Sequence, residues 1–440
     1  MTVPEQPAAG VLIRHGHVLT MDPDLGDFPG GDVLVRGSQI AAVGPGLAGH
    51  GAAEIDARGM IVAPGLVDTH WHLWNTLLRS MSDGGAGYFR VSVGLGRLFR
   101  PDDVYHGTRL GCAEAISSGI TTVHDWCHNV RGPAHAEAGL RALAEAGLRA
   151  RFSYGYAAGH GNDQPMDLAG LAALHRDWAG SWSCGGRLSL GMAWRGPGGS
   201  NPAMRVPPAV YAREIAGARE LGLPVTVHAC GPRSACGQIA TLAGAGLLGP
   251  DLQVVHANCA SAAELAALGA AGCPVSVSPF SELLIGYGLP RTADLLAAGL
   301  PVGLSVDTTA LTGNADMFAI MKLTQGLVNA RAEDEFAMTA RQALALGTIE
   351  GARSLGLGSV TGSLTPGKQA DLILVDTSAP NLAVFTDPAQ MLVTAAQPGN
   401  VRTVLCGGRF LKRDGALVTL DPDAVAAGAR AALAAVRARA

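Results

Sequence analysis

Between residues 66 and 307 the chain repeats one pattern eight times: a short apolar segment of strand type, followed by Ala- and Leu-rich sequence with helical spacing. The strand candidates are Leu66–His70, Thr121–Asp125, Ala150–Tyr154, Leu188–Met192, Pro224–His228, Gln253–His256, Pro274–Ser278 and Pro301–Asp307. Segments such as Pro133–Ala146, Ala209–Leu221, Ala262–Ala271 and Thr292–Ala298 separate them. Strands alternating with helices specify a parallel sheet, most simply a closed (β/α)8 barrel. An open, doubly wound sheet is the alternative. It would carry a Gly-rich phosphate loop after its first strand, and Thr69–Leu77 contains no Gly.

The flanks read differently. Val11–Leu19, Asp32–Arg36 and Gln39–Val43 near the start, and Asp371–Val375, Val401–Cys406 and Arg409–Leu411 near the end, are strand-like, with Gly-Ser and Gly-Gly turns at 37–38 and 407–408. The expected organisation is a composite β-sandwich domain from 1–62 and 359–421, a barrel over 63–358, and a surface helix over 422–440. The balance of the 440 residues supports a folded chain: 48% are hydrophobic and 15% charged, the reverse of a disordered composition. A net charge of −4 leaves no electrostatic footprint for nucleic acid. No apolar run reaches the ~18 residues of a membrane span. The opening MTVPEQPAAG lacks the basic and apolar regions of a signal peptide, and the eight cysteines contain no CxxC pair. A cytoplasmic protein without a disulfide framework is therefore expected.

The polar residues at the strand ends carry the chemistry. His70 and His72 lie two apart on the first strand and so point the same way. The fifth strand ends in His228, the sixth in His256 and the eighth in Asp307. Barrel active sites sit at the C-terminal ends of strands, and imidazoles with a carboxylate suit a divalent metal such as zinc or iron. Trp71, Trp74, Trp126, Tyr156 and Trp194 fall at or near strand ends in a chain with only 5% aromatics, and would suit a flat ring. His128 and Glu282 follow strands two and seven. Cys230 reads as structural, and Asn314 and Asp316 as substrate contacts or caps of the helix starting near Met317.

APGLVDTHWH, VTVHAC, VVHANCAS and VGLSVDTT, with GSLTPGKQADLILVD further on, resemble the amidohydrolase superfamily over most of the chain. The likeness is to its mononuclear aminohydrolase and chlorohydrolase branch, with cytosine, guanine and S-adenosylhomocysteine deaminases and triazine hydrolases. The resemblance implies that His70, His72, His228 and Asp307 hold one divalent metal, zinc ahead of iron, and that His256 contacts the activated water or the substrate. Asn75 stands where the branch often has a substrate-binding Gln. No Lys ends the fourth strand, which argues against a second, bridged metal. A metal-activated water would attack the substrate, Asp307 accepting its proton and His256 stabilising the developing charge.

One departure matters. The deaminases of this branch usually carry a Glu three residues after the fifth-strand His, and position 231 here is Gly. Another acid is then needed, and Glu282 is the first candidate, with His128 the second. The expected substrate contacts are Asn75, Trp74, Trp126, His128, Tyr156 and Trp194; the expected catalytic residues are Asp307, His256 and Glu282. The expected activity is hydrolytic deamination of a small nitrogen-rich ring by a homo-oligomer. The alternatives are another hydrolysis (C–N, C–Cl or amide) or a lyase, cyclase or hydratase reaction. A non-catalytic protein of this fold would have lost metal ligands, and all four are present.

Overall fold

Strand β1 (Val11–Val18) pairs antiparallel with β2 (Phe28–Arg36), which turns into β3 (Gln39–Gly44), while β4 (Ala53–Asp56) and β5 (Met60–Pro64) run parallel to β1. This is a computed structural model; it describes residues 10–82, 87–157, 159–198 and 205–440. Residues 1–9, on which the reading of the opening segment rests, lie outside the described residues.

After Pro64 the chain enters the barrel. Its strands are β6 (Leu66–Trp71), β7 (Ile120–Cys127), β8 (Arg149–Gly155), β9 (Leu188–Trp194), β10 (Val225–Ala229), β11 (Leu252–His256), β12 (Val275–Val277) and β13 (Val302–Leu304). Each is parallel to the next, in sequence order, with helices between. All eight anticipated strands are present. The last is shorter than expected: the segment Pro301–Asp307 leaves the ladder after Leu304. Val306 N–H donates instead to the buried Asp68 carboxylate at 2.7 Å, and Asp307 takes a left-handed φ of 62°. This bend carries the chain across to β6. Asp307 N–H donates to His70 O (2.9 Å) and His72 N–H to Asp307 O (2.7 Å), so the barrel closes through three site candidates.

The C-terminal segments then return to the first sheet. Strand β14 (Leu372–Asp376) pairs antiparallel with β5, Val62 facing Leu374, and β15 (Val401–Cys406), β16 (Arg409–Arg413) and β17 (Ala416–Leu417) extend the sheet. Alternating Val, Ile and Leu of both ends form its core, including Val11, Ile13, Val33, Val35, Leu372 and Leu374. The terminal helix Pro422–Ala438 is capped by the Asp421 side chain and buries Val425, Ala429, Ala432 and Val436, one stripe at helical spacing, against the helix Pro101–Ser117.

Candidate active site

His70 sits at the end of β6 with its ring wholly buried, and His72 two residues later faces the same mouth. His228 approaches from β10: its Nε2 is 3.2 Å from Nε2 of His70. Asp307 Oδ1 lies 3.2 Å from His70 Nε2 and 3.4 Å from His72 Nε2. The donor atoms of all four residues fall within 4.8 Å of one another. His72 Nδ1 is 2.9 Å from the Trp126 carbonyl, which can only accept, so the proton is on Nδ1 and the Nε2 lone pair faces the cluster. Burial, reinforced by the neighbouring imidazoles, pushes His70, His72 and His228 well below the ordinary histidine range, so they are neutral.

These residues fit a metal. Neutral imidazole nitrogens and a carboxylate oxygen are brought together at one point, the mixed nitrogen and oxygen donor set that a divalent ion takes. Three of the spacings, 3.2–3.4 Å, are short enough for one ion to be shared through metal–nitrogen bonds of about 2.0–2.1 Å.

His256, at the end of β11, stacks on His228 with ring centroids 5.4 Å apart. Its Nδ1 is 3.2 Å from Glu282 Oε1. Burial opposes a charge on His256, but the bond from Glu282 and the carboxylates of Asp307 and Glu282 outweigh it and hold the ring above its usual value. Glu282 is fully buried, and its oxygens also accept from Ser278 N–H (2.8 Å) and Asn258 Nδ2 (3.1 Å). A carboxylate engaged by three donors is a support for His256. Asp307 Oδ2 accepts a short 2.5 Å bond from Ser281 Oγ. The backbone is left-handed at His256, Ala257 and Asp307, with φ of 81°, 60° and 62°. Non-glycine residues adopt such angles at a cost in free energy, and here three of them gather at one mouth.

The other anticipated residues divide. Trp126 lies against the cluster, 4.1 Å from His228 between ring centroids, and His128 lies 4.3 Å from His72. Tyr156 stands behind both, near 6 Å from each, and Trp74 packs between His128 and Phe99. Trp194 is different: its ring neighbour among the described residues is Tyr211 of the helix Pro208–Glu220. Asn75 is engaged within the protein, Oδ1 accepting from Thr308 Oγ1 (2.9 Å) and Nδ2 donating to the Tyr88 hydroxyl (3.1 Å). Asp316 caps its helix by accepting from Ala319 N–H. Burial pushes the Cys230 thiol up to about 11, in keeping with a structural residue. Tyr88, Tyr287, Ser281 and Thr308 also reach the site, and the strand-end pattern does not point to them because they lie outside the strands, Tyr88 and Ser281 in short helices and Tyr287 and Thr308 in loops.

The amidohydrolase family profile matches residues 61–411, from β5 through both sheets. The chain belongs to the amidohydrolase family. This amidohydrolase is 30% identical over 434 residues to a 5'-deoxyadenosine deaminase of Methanosarcina mazei, covering 95% of this chain and 96% of the relative. It is 31% identical over 441 residues to a 5-methylthioadenosine/S-adenosylhomocysteine deaminase of Pelotomaculum thermopropionicum, covering 96% and 98%. Among solved structures, a zinc-bound adenosine deaminase of Xanthomonas campestris superposes with a TM-score of 0.85 at 25% identity, over 99% of this chain and 100% of that one. An atrazine chlorohydrolase of Arthrobacter aurescens, complexed with zinc, shares the fold at a TM-score of 0.83 and 22% identity, over 96% and 100%. This amidohydrolase is thus an enzyme with a divalent-metal site, and no helix among its described residues is long and apolar enough to cross a membrane.

Proposed function

We propose that this enzyme is an aminohydrolase that removes ammonia from a small nitrogen-rich ring, with one zinc ion per chain held by His70, His72, His228 and Asp307. The names of its relatives make 6-aminopurine nucleosides the first class to test. The observation that carries the reading is the joining of that four-residue cluster to the His256–Glu282 pair at the mouth of one barrel. A divalent cation bound there would act as a Lewis acid and lower the pKa of a coordinated water from ~15.7 towards ~7. Asp307, a member of the cluster, takes a proton from the attacking water and passes it towards the leaving amine. His256, whose ring Glu282 holds above its usual value, steadies the negative charge that develops on the substrate. Glu282 acts through His256, and this replaces the expectation that it donates the proton itself. Trp126 and His128 form the wall on which a flat ring rests.

Elemental mass spectrometry and ammonia release from a panel of amino-substituted purines and triazines test this. About one zinc per chain with ammonia as product is expected. A fully loaded enzyme that frees chloride or an alcohol but no ammonia would overturn deamination, and the second reading, expulsion of another group, would take its place. Gly231 is the observation that favours that second reading.

A further inference from the structure

Gly231 leaves open space three residues past His228, and a side chain from across the mouth occupies it. A Cβ at position 231 would lie 2.7 Å from Cε2 and 3.3 Å from Cζ of Tyr287. Carbon atoms do not pack that closely, so the Tyr287 ring and any side chain at 231 exclude one another. The ring is set in place from both sides. Gly286 and Gly288, with φ of 81° and 104°, let the chain turn sharply around Tyr287. Tyr287 N–H donates to Glu282 O at 2.9 Å, tying the loop to the residue that supports His256. The phenol meets the His256 imidazole edge to face, centroids 5.2 Å apart and planes at 82°.

The surroundings give the hydroxyl its character. Burial, then the carboxylates of Asp307 and Glu282, raise the phenol well above its ordinary range. It therefore stays protonated and keeps an O–H to donate. Tyr88, held by Asn75, is raised in the same way by burial and Asp307. Two neutral hydroxyl groups thus stand near the one carboxylate of the metal cluster.

We infer that Tyr287 is a catalytic residue of this enzyme: its hydroxyl donates a hydrogen bond to the substrate atom on which charge builds during attack, from the space that a side chain at 231 would otherwise fill. The O–H bond stays intact, so the protons of hydrolysis still travel through Asp307. The inference rests on the hydrolytic reading above.

Tyr287→Phe tests it, since it keeps the packing against Gly231 and His256 and removes only the hydroxyl. In the zinc-loaded enzyme kcat should fall about 10²-fold, the effect of losing one donor to a developing charge, while KM changes less than about threefold. A kcat within twofold of wild type would overturn the inference. The identity of the product, ammonia or another leaving group, reports on the proposed function; the ratio of the two enzymes reports on Tyr287 whichever group leaves. If wild type turns over no ring in the panel, the function falls, and calorimetric affinity for inosine decides on the tyrosine. Tenfold weaker binding by Tyr287→Phe would retain it as a substrate contact, and equal binding would end it.

Discussion

Two buried polar clusters, one at each end of the barrel, obey opposite rules. At the seam with the β-domain, Arg149 of β8 meets Asp371, Nε to Oδ2 at 2.7 Å and Nη2 to Oδ1 at 3.3 Å. Gly407 N–H and Gln369 complete the set, and both charged side chains are almost wholly buried. Every charge has a partner, so the cluster holds two sheets together and asks for nothing else. At the mouth, the Nε2 atoms of His70 and His228 meet at 3.2 Å beside the Asp307 carboxylate, and His70 Nδ1 has no partner among the described residues. Burying polar groups this way costs free energy unless something else satisfies them. The first cluster is complete in itself and builds the molecule; the second is assembled from groups suited to hold a cation.

The sharpest way to break this comparison is to exchange the outcomes. Asp307→Asn should lower kcat by about 10⁴-fold while circular dichroism and the urea midpoint stay near wild type, and Glu282→Gln, which only weakens the support of His256, should cost about 10²-fold. Asp371→Ala should do the reverse. Stranding the Arg149 charge should reduce unfolding free energy by about 3–5 kcal/mol, with kcat per folded molecule unchanged. A loss of turnover at the seam, or a collapse of stability at the mouth, would erase the distinction.

Asp125 offers a smaller test. It is buried on β7 between His124 and Trp126, its oxygens lack a well-aligned partner, and burial raises its carboxyl to about 8, relieved only partly by the Leu73 amide. The unfolded chain ionises this group near pH 4, the folded one only near 8. The folded state binds the extra proton in that window, so its stability falls as pH rises through it. Asp125→Asn removes the dependence. Its advantage over wild type, read from urea unfolding, should grow from pH 4.5 to 8 and then level off.

Residues placed by strand periodicity were legible. His70, His228 and His256 lie at the ends of their strands, His72 and Asp307 just beyond theirs, and the C-terminal end of a barrel strand has one destination. The β-domain was legible from its strand-like runs, such as Val11–Leu19 and Asp371–Val375, and from the Gly-Ser and Gly-Gly turns between them. The side-chain directions of the other candidates were not. Glu282 could be placed on the correct face, but only the fold shows it turned behind His256. Trp194 was near a strand end yet packs on Tyr211, because a residue at the rim can turn outward. Tyr287 had one local sign, the glycines on either side, and no spacing rule connects it with Gly231 more than fifty residues earlier.

The pairing of β5 with β14 joins segments roughly three hundred residues apart. During synthesis at about 5–20 residues per second, β1 to β5 would wait some 15–60 s for their partners. Through that interval a row of Val and Ile stands without its other half, and the barrel must grow from a strand whose anchor is not yet made. The chain is then most exposed to association with its own copies, and slowing synthesis between residues 65 and 370 should lower the yield of soluble enzyme more than slowing it anywhere else.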